Sequence, residues 1–147
     1  MKQTLIAVLL FSSILWAGTK PIQTSPVKAF RGPEGELVVM VEVNESKEML
    51  VFFKNIGVNG DEFEGKTRLY QFTDNGRQGK DIFYNKKRGS KTIQYVVLNQ
   101  NNDHWTLAHP LKPAQTISLT YSQKDSEVTK FEDILKAYQP NLEKEKK

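Results

Sequence analysis

Apolar and polar residues alternate with a period of two through most of the chain, and a helical period takes over only near the carboxyl end. The clearest strand is Leu37–Val43, LVVMVEV, in which Leu37, Val39, Val41 and Val43 share one face. Val38 and Met40 make the other face apolar too, until Glu42 returns to solvent. Asn44–Lys47 reverses the chain, and Glu48–Lys54 supplies the partner strand through Met49–Phe53. Arg68–Thr73 and Lys80–Asn85 read as two further strands, the second centred on Ile82, Phe83 and Tyr84, with Asp74-Asn75-Gly76 turning between them. Lys86–Ser90 reads as a basic turn through Gly89.

Lys91–Leu107, KTIQYVVLNQNNDHWTL, predicts two strands around the polar turn Gln100–Asp103, and this hairpin is expected at the middle of the sheet. Its run Val96, Val97, Leu98 breaks alternation, which implies cover on both faces there. Thr116–Tyr121 alternates cleanly, with Ile117, Leu119 and Tyr121 inward. Val128, Phe131, Ile134, Leu135 and Tyr138 then fall at helical spacing, with Ser126 or Thr129 able to start a helix and Pro140 to end it.

Seven strands followed by one helix predict a mainly β protein: an antiparallel meander forming a small barrel or sandwich, with one C-terminal amphipathic helix packed on the sheet. Phe52, Phe72, Phe83, Tyr95 and Trp105 are expected to fill its interior. No βαβ rhythm is present, which disfavours a doubly wound nucleotide-binding sheet.

The amino terminus obeys a different logic. Lys2, the apolar run Leu5–Leu15 and the small residues Ala17 and Gly18 have the three parts of a secretory signal. The run is short for a bilayer core of roughly 30 Å. The expectation is a signal peptide over 1–17 that is cleaved, placing the protein in the periplasm or outside the cell, with no permanent membrane span. An extended linker over 18–30, carrying Pro21 and Pro26, one β-rich domain with its helix over 31–140, and a charged tail over 141–147 complete the expected organisation.

The 147 residues contain no cysteine, which excludes a disulfide framework, a thiol nucleophile and a cysteine metal site. An exported domain of this size without disulfides fits a bacterial envelope better than a eukaryotic extracellular space. The formal net charge of +4 matters less than its distribution. Eight acidic residues against two basic ones lie between Glu34 and Glu64, and six basic residues against Asp81 alone lie between Arg77 and Lys91.

Two charged surfaces are therefore candidates for binding. Arg77, Lys80, Lys86, Lys87, Arg88 and Lys91 form a basic patch suited to an anionic envelope component, and export disfavours nucleic acid. Glu34, Glu36, Glu42, Glu45 and Glu48 form an acidic strand edge suited to a basic partner, although charge on an edge also simply discourages aggregation. Asp61, Glu62 and Glu64 do not match a calcium-loop spacing, so no metal or cofactor is expected. His104 and His109 are the only histidines, five residues apart at either end of a strand, and no Gly-x-Ser-x-Gly motif accompanies them. The function expected is non-enzymatic: an exported bacterial β-domain that binds another envelope protein. A small-barrel carrier of a lipid or apolar ligand, and a hydrolase using His104 or His109, stand behind it.

Overall fold

A computed structural model describes residues 21–56, 63–108 and 115–138. The signal segment 1–17, the start of the linker, Asp61, Glu62, His109, Pro140 and the tail 141–147 lie outside the described residues, as do the side chains of Lys86 and Lys87.

Eight antiparallel strands form a closed barrel in chain order: β1 (Lys28–Arg31), β2 (Leu37–Val43), β3 (Glu48–Lys54), β4 (Thr67–Asp74), β5 (Lys80–Arg88), β6 (Lys91–Asn101), β7 (His104–Ala108) and β8 (Thr116–Tyr121). The meander and the barrel agree with the sequence pattern. The eighth strand comes from residues 28–31, whose first three positions were expected in a linker. Lys-Ala-Phe-Arg is too short to show a period of its own. It becomes a strand because β2 and β8 offer it ladders on both sides, with Ala29 opposite Val39 and Phe30 opposite Tyr121. The preceding segment also runs along the barrel: Gln23 bridges Val43, and Thr24 donates from its backbone N–H to the Glu42 carbonyl at 3.0 Å.

The interior is packed with side chains. Phe30, Val38, Met40, Met49, Val51, Phe53, Tyr70, Phe72, Ile82, Tyr84, Leu98, Trp105, Leu107 and Leu119 belong to one buried cluster. An eight-stranded barrel is about the size that side chains alone can fill. Arg68, which alternates with Tyr70 and Phe72 along β4, is buried with them at 1% exposure. Of the aromatics expected inside, Phe72 and Trp105 are there; Phe52 joins a cluster on the outer face, and Tyr95 is 39% exposed. Phe83 is buried but sits one residue out of phase with Ile82 and Tyr84.

The outer face of β2 and β3 explains why LVVMVEV is apolar on both sides. Val39, Val41, Val43 and Leu50 form a second cluster with Ile134, packed against Leu37, Phe52, Leu69, Phe131, Leu135 and Tyr138. A helix covers that face, so these strands are enclosed by the barrel on one side and by the carboxyl end on the other. The doubly covered strands are thus β2 and β3, not the 91–107 hairpin. Glu42, on the lumen side, does not end in free solvent, because its carboxylate pairs with Lys80.

The carboxyl end forms two short helices where one was expected: α1 (Gln123–Val128) and α2 (Phe131–Lys136). Thr129 adopts extended backbone (φ −82°, ψ 119°) and breaks the run. Ser122 caps α1, its hydroxyl accepting from the Asp125 backbone N–H, and the Lys130 N–H donates to the Asp133 carboxylate at the start of α2. Only α2 carries the apolar face, with Ile134 buried. Its end is sewn to β4, where the Thr67 N–H donates to the Ala137 carbonyl at 2.8 Å. Burial and the nearby Glu48 carboxylate push the Tyr138 phenol above its usual value. Among the described residues, no helix is long and apolar enough to cross a membrane.

Candidate interaction surface

β5 and β6 are longer than their neighbours. β5 pairs with β4 only from Lys80 to Phe83, and β6 pairs with β7 only from Leu98 to Asn101. Beyond those limits the two strands continue together through Tyr84↔Tyr95, Asn85↔Gln94, Lys86↔Ile93, Lys87↔Thr92 and Arg88↔Lys91. The result is a two-stranded arm that runs roughly 15 Å past the last shared ladder, at about 3.3 Å per residue. Gly89, at φ +62°, makes the tip with Ser90, a conformation that suits glycine at the first position of a two-residue hairpin turn.

A bulge marks where the arm departs. Ile82 faces Leu98 but Phe83 faces Val96, leaving Val97 as an extra residue on β6. That extra residue is the cause of the unbroken apolar run Val96, Val97, Leu98. Val97 and Leu98 are buried while Val96 is 45% exposed, so the run does not report cover on both faces.

The arm changes character along its length. Near the barrel, Tyr84 is buried and stacks edge-on with Phe63 at 5.8 Å. Further out come Tyr95, Val96 and the half-buried Ile93, then the exposed Arg88 and Lys91 at the tip. Residues 84–97 contain four basic residues and no acidic one. The sequence pattern alone ends β5 at Asn85 and puts 86–90 in a turn, because Lys-Lys-Arg has little strand propensity. The signal that could have extended it is the Gly-Ser pair, a two-residue hairpin turn between equal flanks.

The expected basic patch divides in two. Arg88 and Lys91 sit at the arm tip, with Lys86 and Lys87 beside them in sequence. Arg77 and Lys80 lie at the opposite end of the barrel, where the Asn102 N–H donates to the Arg77 carbonyl. Lys80 is committed to the Glu42 carboxylate and to the Phe72 ring, 4.5 Å from its centroid. It is a structural cation.

The acidic residues do not form an edge, because the ring is closed and β2 has a neighbour on each side. Glu34 and Glu36 stand at the arm end of β2, and Glu42, Glu45 and Glu48 at the other. Glu36 is buried and its carboxylate accepts from the Glu34 backbone N–H at 2.9 Å, filling the space over Gly32. Glu48 accepts from the Asn44 amide at 3.2 Å. Glu45 alone of the last three is an exposed turn residue. Glu64 accepts from the backbone N–H groups of Asn55 and Ile56.

Two other groupings come together that the sequence did not indicate. His104 Nε2 lies 3.3 Å from the Ser118 hydroxyl on the exposed outer face of β7 and β8. Among the described residues no carboxylate hydrogen-bonds this histidine and none orients it as a triad base would be oriented. At the end away from the arm, a hollow of about 410 Å³ is lined by Asp74, Gly76, Gln78, Gly79, Lys80 and Gln100. Beside it the Asn75 and Asn99 amides both donate to Oδ1 of Asp81. No group of three metal-ligating side chains occurs among the described residues.

Compared with known proteins, the chain matches no family model, no curated protein and no solved structure.

Proposed function

We propose that this chain is an exported, non-enzymatic binding protein of a bacterial envelope, and that its arm engages an acidic partner protein. The observation that carries this reading is the order of side chains along the arm, apolar at the base and cationic at the tip. A bilayer surface would require the reverse order, since apolar groups must go deeper than the charges that meet head groups. An anionic polymer would use the charges and leave Tyr95 and Val96 idle. A protein surface with carboxylates above an apolar strip uses both. The signal segment over 1–17 supports export, to the periplasm or beyond. The cluster of buried side chains inside the barrel favours binding on the outside over carriage of an apolar ligand within.

The test is capture from envelope extract on the immobilised protein lacking residues 1–17. A specific protein should be retained at low salt and released by about 0.5 M salt, where surface charges are screened within a few ångströms. The Arg88→Glu/Lys91→Glu variant should melt like wild type and retain nothing. Equal capture by that variant would overturn the reading.

A further inference from the structure

The arm offers more than charge. β6 is laddered to β5 from Lys91 onward, but among the described residues no strand pairs with its other side before Leu98. Residues 91–97, KTIQYVV, therefore present backbone amides and carbonyls on an edge that no described strand occupies, alternate residues facing outward. Thr92, Ile93, Tyr95 and Val96 are strand-forming types, and Lys91 is the only charged residue on the stretch. Among the described residues β5 is also unladdered on its outer side beyond Phe83, but there it carries Lys86, Lys87 and Arg88 in place of strand-forming types.

We propose that an extended acidic segment of the partner adds as a ninth strand to the β6 edge over residues 91–95. It lies along Ile93 and Tyr95, and its carboxylates meet Lys91 and Arg88. This rests on the proposed function and specifies how that surface is used. Strand addition supplies affinity through backbone hydrogen bonds and specificity through alternate side chains. Charge selects the occupant. A second copy docking arm to arm would bring together two ribbons that hold no carboxylate between residues 84 and 97. An acidic segment neutralises the tip while its alternate apolar residues cover Tyr95 and Ile93. The bulge at Val97 ends the usable edge, because it turns the next backbone groups out of line.

The experiment uses the isotope-labelled protein without residues 1–17 and a synthetic peptide, acetyl-Glu-Thr-Val-Thr-Val-Thr-Glu-amide, whose Glu and Val share one face as Lys91, Ile93 and Tyr95 do, followed by amide exchange. Exchange should slow about tenfold or more at alternate residues within 91–95, as newly bonded amides require. The same peptide N-methylated at alternate positions should lose this protection. A version with Lys in place of Glu should not bind, and Arg88→Glu/Lys91→Glu should weaken the acidic peptide about tenfold. Unslowed amides, with shifts confined to the Arg88 and Lys91 side chains, would overturn strand addition and leave the arm as a charged contact. Equal binding of the N-methylated peptide, or no response of the arm to any peptide, would overturn it too. Capture by the charge-reversed variant then decides separately whether the arm binds a partner.

Discussion

Arg31 and Asp125 meet in a two-pronged ion pair, Nε to Oδ2 and Nη2 to Oδ1 both at 2.9 Å, which fastens the closing strand β1 to the first turn of α1. The guanidinium bond, followed by the Ser122 hydroxyl, holds the Asp125 carboxyl well below the usual carboxylate range. A lowered folded value means that the pair stabilises fully above the unfolded value of about 3.9 and fades as acid protonates it. Asp125→Asn should cost about 1 kcal/mol at pH 7, a modest figure because the guanidinium is partly exposed. Urea midpoints should keep that gap from pH 7 to about pH 5 and narrow it toward pH 2. A gap that widened in acid would contradict the assignment.

The helix cover on β2 and β3 makes an unequal pair of substitutions. Ile134 is 2% exposed in the outer cluster, whereas Val128 on α1 is 64% exposed. Ile134→Ala should lower unfolding free energy by about 3 kcal/mol, through lost burial and the cavity left behind. Val128→Ala should stay within about 0.5 kcal/mol of wild type. Denaturant titration of both variants checks this.

Tyr84 and Tyr95 face each other across the arm, but only one is structural. Tyr84 packs against Phe63 and against Tyr70 at 6.1 Å. Tyr84→Ala should cost about 3 kcal/mol, and Tyr95→Ala less than about 1. If Tyr95→Ala proved as damaging, the arm's outer half would be core.

Two glycines of the 75–79 turn differ in kind. A Cβ on Gly79 would stand 2.0 Å from the Gln100 carbonyl oxygen, a backbone atom that cannot step aside. Gly76 has open space but a φ of +72°. Gly79→Ala should therefore cost more than about 2 kcal/mol, and Gly76→Ala only about 1, the left-handed penalty of an ordinary residue. Thermal melts of the two variants order them.

Alternation was enough to read the meander, because half-buried strands such as Thr116–Tyr121 record their facing in every second residue, although Tyr121, expected inward with Ile117 and Leu119, is 54% exposed at the strand's end. It failed where a local event broke the count. β1 is four residues long and owes its pairing to neighbours about ten and ninety positions away. The bulge at Val97 imitated a doubly covered strand, while the strands that are doubly covered, β2 and β3, could not say which face was which. Phe52 was misplaced for that reason. The arm's charges were visible, but Arg77 and Lys80, close in sequence to Lys86, lie at the far end of a nine-residue strand. Sequence distance along a strand is distance in space, so a run of basic residues there cannot form one patch.

The seam between β1 and β8 consists of Phe30↔Tyr121 and Arg31↔Thr120, partners about ninety residues apart in the chain. Every other ladder joins neighbours and can zip as soon as both strands exist, but this one waits for nearly the whole polypeptide. A chain interrupted before β8 can build a curled sheet and no ring. Its lumen residues stay open, and the ion pair of Arg31 with Asp125 has no second half. Folding to the native state is thereby tied to completion of the chain.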